Sequence, residues 1–164
     1  MKPCIKAYKY LLFDADGTLY DFHLAEKRAI DWTWDQYKIP KTEETLKCFH
    51  KCNVIAWDLI EKGKLSIEEM KTARFQWMVD ELNLTIDIPK IAKDYLDYIA
   101  KTGEMLPYSL DVINELRNRG YPIYIITNGL TDIQYSRFHK EISNGMYEKM
   151  YCGEDIGFNK PHPL

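Results

Sequence analysis

The 164-residue sequence has no apolar run approaching the roughly 18 residues that a membrane-spanning helix requires. Its first apolar stretch, Tyr8 to Phe13, is short and is interrupted at once by Asp14, too little for a secretory leader. Neither sign of charge prevails. Lys and Arg number 22 and Asp and Glu 25, for a net charge of −3, without the basic clustering that counterion release on a nucleic-acid backbone needs. No membrane partner, no nucleic-acid partner and a cytoplasmic location are therefore expected. Cysteine is sparse: Cys4, Cys48, Cys52 and Cys152. Without other secretory signs, reduced buried thiols are expected rather than a disulfide framework. Cys48 and Cys52 fall on one helical face, as a metal pair would, but His50 between them points elsewhere and no second ligand pair stands out, so zinc is not expected. Internal repeats and low-complexity linkers are also absent. What remains is an ordinary globular composition, 46% hydrophobic and 29% charged, long enough for one domain or a core with one insertion.

Three segments read as strands. Lys9 to Asp14 is apolar and aromatic and ends in Asp16-Gly17 turn chemistry; Pro122 to Thr127 is Ile-rich and is stopped by Asn128-Gly129; Glu148 to Cys152 is stopped by Gly153. Helices fill the gaps. The first spans Leu24 to Tyr37. A second is capped by Thr42, with Glu43 and Glu44 near its positive end and a stripe of Leu46, Phe49, Cys52, Ala56 and Leu59 or Ile60. Ser66 and Glu69 form a capping box opening a third, with Met70, Ala73 and Trp77 on one face. A fourth carries Ile91, Tyr95 or Leu96, and Ile99; a fifth, after Pro107, carries Leu110, Ile113 and Leu116. Thr131 and Gln134 fit another capping box, leading into Ile133 to Ile142.

Strands alternating with helices imply an α/β fold with a parallel, Rossmann-like sheet. The four-helix block is too long for a crossover and reads as an inserted helical cap, residues 20–104, within a core of residues 1–19 and 105–164. Its four tryptophans, Trp32, Trp34, Trp57 and Trp77, and several tyrosines are expected in the cap core, with one or two of these rings able to stack on a nucleobase. Phe22 and His23, just after the first of these strands, could touch substrate, but loop packing is the expectation.

In parallel sheets ligands bind at the carboxyl ends of strands, and there the chemistry gathers. Asp14 closes the first strand, where a rigid carboxylate can attack phosphorus and form an aspartyl-phosphate. Asp16 can protonate the leaving oxygen and later deprotonate water. Two acids facing a phosphate need cations. Lys160 is one; a magnesium ion held by an Asp14 oxygen, the Asp16 carbonyl and waters is another. The Thr127 hydroxyl and the turn amides around Asn128 and Gly129 can bind phosphoryl oxygens, beside Lys160.

The segments Asp14-Ala15-Asp16-Gly17-Thr18-Leu19, Ile125-Ile126-Thr127-Asn128-Gly129 and Gly157-Phe158-Asn159-Lys160-Pro161 resemble, in order, three motifs of the haloacid dehalogenase-like hydrolases. The Phe-Asp-Ala-Asp opening and Ile-Thr-Asn-Gly-Leu-Thr-Asp-Ile-Gln look most like the noncanonical pyrimidine nucleotidases. The resemblance implies a magnesium-dependent phosphatase for small phosphate esters, nucleoside 5′-monophosphates first. It implies Asp14 as nucleophile, Asp16 as acid/base, Thr127 as phosphate ligand and Lys160 as the charge orienting Asp14. Asp16 matters, because the dehalogenases of the superfamily need no acid there. The alternatives are a sugar phosphate or phosphoglycolate-type substrate, or a catalytically inactive fragment. The family pattern also includes a fourth, acidic motif, whereas this sequence stops at Leu164, four residues after Lys160. A C-terminally truncated chain is therefore expected, with weak magnesium binding, slow or absent turnover, and self-association through the open edge of its first strand.

Overall fold

The computed structural model describes residues 8–141 and 145–162. Cys4 and the end of the sixth helix expected at Ile142 lie outside them. The elements run β1 (Leu11–Phe13), α1 (Phe22–Tyr37), α2 (Glu43–Glu61), α3 (Ile67–Glu81), α4 (Ile88–Lys101), α5 (Ser109–Asn118), β2 (Ile123–Thr127), α6 (Thr131–Glu141), β3 (Lys149–Cys152) and α7 (Gly153–Ile156). The chain divides into two compact units, Met1–His23 with Gly103–Leu164, and Leu24–Thr102. Among the described residues no helix is long and apolar enough to cross a membrane.

The first unit is the α/β fold expected from the strand–helix alternation. Its three strands lie in the order β1-β2-β3, all parallel. Central β2 buries Ile123, Ile125 and Thr127 on one face while Tyr124 and Ile126 are half-buried on the other, the period of two that a strand imposes. Ile123 and Ile125 pack with Ala15, Leu19, Tyr20, Ile113, Phe138, Met150 and Cys152. Tyr20 meets Phe138 edge-on at 4.9 Å between ring centroids. In α5 only Ile113 of the expected stripe is buried; Leu110 is exposed and Leu116 is half-buried. The periodicity identified the helix but overstated how wide a face it buries.

The second unit packs α2 against α3 and α3 against α4. Both expected caps form. The Thr42 side chain accepts from the Thr45 amide, and Ser66 and Glu69 close a reciprocal box. The aromatic core holds only part of the expected set, Trp34 and Tyr95. Trp34 is buried, but Trp32, Trp57 and Trp77 are only half-buried, and the centre is Phe49, which meets Trp34, Phe75 and Tyr95 at 5.3, 5.3 and 5.5 Å. The buried face of α3 is likewise Met70, Arg74, Phe75, Met78 and Val79, with Ala73 and Trp77 at its margin. The cause is Arg74, a charged residue that a hydrophobicity pattern assigns to solvent. Its Nη1 donates to Asn53 Oδ1 at 2.9 Å, Asn53 Nδ2 donates to Glu26 Oε1 at 3.1 Å, and the guanidinium lies over the Tyr95 ring at 4.9 Å. Partners of this kind are what make a buried charge tolerable.

Candidate active site

Parallel register brings the three motifs to one edge of the sheet. Phe13 pairs with Ile125, and Thr127 pairs with Cys152. Asp14, just beyond β1, therefore stands level with the end of β2, although 113 residues separate it from Thr127. After β1 the chain folds tightly: the Ala15 carbonyl accepts from the Leu19 and Tyr20 amides at 2.9 and 3.0 Å, and the Gly17 amide donates to the Tyr20 carbonyl at 2.9 Å. Gly17 holds a φ of +76°, a left-handed conformation that glycine adopts without a Cβ penalty. This turn presents Asp16 beside Asp14.

Lys160 reaches Asp14 from the loop after α7. Its Nζ donates to Asp14 Oδ1 at 2.6 Å and to the Ile126 carbonyl at 2.7 Å. Asn128 fixes that loop by pairing with the Lys160 main chain in both directions, each bond 2.8 Å. The Thr127 hydroxyl accepts from the Gly129 amide at 3.0 Å and from Gln134 Nε2 at 3.2 Å, so its own proton is left to donate outward. In this arrangement the Gly129 amide is turned onto Thr127, and binding a phosphoryl oxygen through it requires that bond to open.

Two residues in contact with this group were not singled out from the sequence. Gln134 was assigned to a capping box with Thr131. Instead its buried amide donates to Asp16 Oδ2 at 2.6 Å as well as to Thr127. The expected box is replaced by α7, whose Glu154 accepts from the Thr131 amide at 2.8 Å and whose Asp155 accepts from the Thr131 hydroxyl at 2.9 Å. One turn further along α6, the buried Arg137 sets its Nη1 2.8 Å from Asp16 Oδ1, an ion pair without hydrogen-bond alignment, and lies over the Tyr20 ring at 4.7 Å. Gly103 makes room for it: a Cβ there would stand 3.1 Å from Arg137 Cγ. The three-residue spacing of Gln134 and Arg137 puts both on one helical face, a signal present in the sequence, but nothing local indicates that this face meets Asp16.

The oxygen donors suit a hard divalent cation: the half-buried Asp14 carboxylate, and the main-chain carbonyl of Asp16, since the amides of the turn donate to the Ala15 and Tyr20 carbonyls instead. Phe22, placed in loop packing from the sequence, begins α1, with the Arg137 guanidinium 5.9 Å from its ring; His23 is exposed.

This chain is similar to a HAD-hydrolase, YfnB, of Bacillus subtilis, 28% identical over 96% of this chain and 66% of that protein. The crystal structure of YfnB, bound to magnesium, matches with a TM-score of 0.89 over 96% of this chain and 70% of that one. The pyrimidine 5′-nucleotidase PynA of Streptococcus pneumoniae is 29% identical over 96% of this chain and 66% of its own length. The L-2-haloacid dehalogenase of Xanthobacter autotrophicus, 17% identical with a TM-score of 0.68 over 96% of this chain and 61% of that one, shares the fold. This chain thus spans just under two-thirds of the YfnB and PynA sequences. A family model matches residues 8–164, from the approach to the first strand through all three motifs, and the chain belongs to the haloacid dehalogenase-like hydrolases.

Proposed function

We propose that this chain carries the catalytic elements of a phosphatase for small phosphate monoesters, with nucleoside 5′-monophosphates as the preferred class. The observation that carries the reading is the pair of carboxylates at the end of β1, held by different partners: Asp14 by Lys160 at 2.6 Å, Asp16 by Gln134 at 2.6 Å and Arg137 at 2.8 Å. Separately anchored acids can take separate tasks. Asp14 attacks phosphorus and forms the acyl phosphate as the ester oxygen departs with a proton from Asp16, which requires the Arg137 ion pair to open onto a protonated Asp16 as substrate binds. Asp16 then takes a proton from water, which attacks the acyl phosphate, releasing inorganic phosphate and restoring Asp14. Lys160 keeps the nucleophile oriented, and the outward Thr127 proton donates to a phosphoryl oxygen. Asp14 and the Asp16 carbonyl would hold magnesium, which would supply charge neutralisation to the phosphoryl group. The helical insertion, residues 20–104 by its sequence, would set the choice of ester.

Similarity to PynA supports the nucleotide class; a phosphoglycolate phosphatase of Shigella dysenteriae, 25% identical, supports a smaller ester as the second reading. A haloacetate dehalogenase is also similar at 24% identity, but an anchored acid at Asp16 is useful for protonating an alkoxide and idle for a halide leaving group.

The test is phosphate release from a panel of nucleoside monophosphates, sugar phosphates and phosphoglycolate, with magnesium and with chelator, for the chain and its Asp14→Asn variant. Magnesium-dependent release abolished by Asp14→Asn is the expected result. Release unaffected by that substitution overturns the mechanism, and no release from folded chain makes it an inactive member of its family.

A further inference from the structure

We propose that Cys48, Cys52 and Glu81 form a binding site for a soft or borderline divalent metal ion in the helical unit. The sequence offered only the two thiols. The fold adds a third donor from the end of α3, and the three donor atoms lie within 4.8 Å of one another. His50, the residue between the cysteines, turns toward Glu26, its Nδ1 3.9 Å from Oε2, and takes no part.

The arrangement has the features a thiolate site needs. Helical spacing of four stacks both sulfurs on one face of α2, so α2 and α3 hold the donors on rigid elements. Both thiols are buried, Cys48 and Cys52 alike, on the face that α2 turns inward. Glu81 is ionised and fixed by Lys51. An opening lined by Glu43, Glu44, Lys47, Lys51 and Leu82 leads from solvent to Cys48 and Glu81.

Binding forms two metal–sulfur bonds and one metal–oxygen bond, and the two thiol protons leave to solvent. Three anionic ligands around a dication leave one negative charge, which the Lys51 ammonium beside Glu81 balances. Two sulfurs select zinc or cadmium over magnesium, a hard ion that prefers oxygen donors. Three protein ligands leave a fourth tetrahedral position for water or an incoming ligand, as in zinc sites that are not purely structural. The site involves none of the residues around Asp14 and stands or falls independently of the phosphatase reading.

The experiment is a cadmium titration of the reduced full chain in excess magnesium, read by sulfur-to-cadmium charge-transfer absorption, with zinc added as competitor. Carboxylate sites give no such band, so metal at Asp14 is silent. One saturating equivalent, displaced by zinc, is expected. Glu81→Gln, at a half-exposed position, should weaken binding more than about tenfold, above about 1.4 kcal/mol, with the band retained and the far-ultraviolet circular dichroism of the wild type. Cys48→Ser with Cys52→Ser should remove the band. No saturable band in folded wild type, or a band of unchanged affinity in the double serine variant, overturns the site. Unchanged affinity in Glu81→Gln overturns it as well, whether or not the serine variants fold.

Discussion

Gly129 and Gln134 should be energetically coupled, and the sign of one substitution should depend on the other. The backbone at Gly129 lies outside the left-handed region, so alanine is conformationally acceptable there, and a compatible Gly→Ala change stabilises by about 0.4–1 kcal/mol through the unfolded chain. Space is the obstacle. A Cβ on residue 129 would stand 2.1 Å from Gln134 Nε2 and 2.9 Å from its Cδ. Those atoms are the end of a flexible side chain, so the clash resolves by swinging Gln134 away. The cost is then the bonds it leaves, 2.6 Å to the Asp16 carboxylate and 3.2 Å to the Thr127 hydroxyl. A bond to a charged group contributes about 1.5–3 kcal/mol and a neutral one about 0.5–1.5 kcal/mol. The Asp16 side chain is 26% exposed, which favours the lower values, about 2 kcal/mol in all. Gly129→Ala alone should therefore destabilise by about 1–1.5 kcal/mol after its backbone gain. With Gln134→Ala already present, the same change should be neutral or stabilising, a coupling of about 2 kcal/mol. Urea unfolding of the wild type, both single variants and the double variant, with midpoints and slopes compared, measures it. Equal destabilisation by Gly129→Ala in both backgrounds refutes the reasoning.

Other consequences follow from particular contacts. Gly153→Ala would set a Cβ 2.0 Å from Asn159 Oδ1 and 3.1 Å from the Phe158 carbonyl. It should displace the loop bearing Lys160 and cost about 1–3 kcal/mol, with Asn159→Ala restoring part of the loss in the same unfolding assay. The Ser66 hydroxyl and amide, 2.6 and 2.9 Å from Glu69 Oε2, hold Glu69 below the usual carboxylate range. A depressed folded value contributes stability above the unfolded carboxylate range, lost as pH falls through the folded value. Glu69→Ala should thus matter at neutral pH and its difference from wild type should shrink in acid, as stability measured across pH will report. Ser66→Ala, which removes the cap of α3, should cost about 1 kcal/mol in thermal or urea unfolding.

Local chemistry made most elements legible. Apolar runs broken by Asp16-Gly17, Asn128-Gly129 and Gly153 identified the three strands to within a few residues, and two helix caps formed as their spacing required. Errors came where a residue's partner lies far along the chain. The Thr131 and Gln134 spacing satisfies a capping rule, yet Asp16, 118 residues away from Gln134, competes for that amide and wins with its negative charge. Arg74 reads as a solvent-facing residue until Asn53 and the Tyr95 ring are seen to receive it.

The sequence by itself determined the parallel α/β class, the run of helices between the first two strands, and the order along the chain of Asp14, Thr127 and Lys160, the first two at strand ends. Strand propensity, turn chemistry and helical period act over a few residues and are written locally. Only the tertiary structure decided that Gln134 and Arg137 anchor Asp16, that Lys160 also reaches the Ile126 carbonyl, and that Glu81 joins Cys48 and Cys52. These are meetings of distant side chains, fixed by sheet register and helix packing, and no local pattern encodes the distance between them.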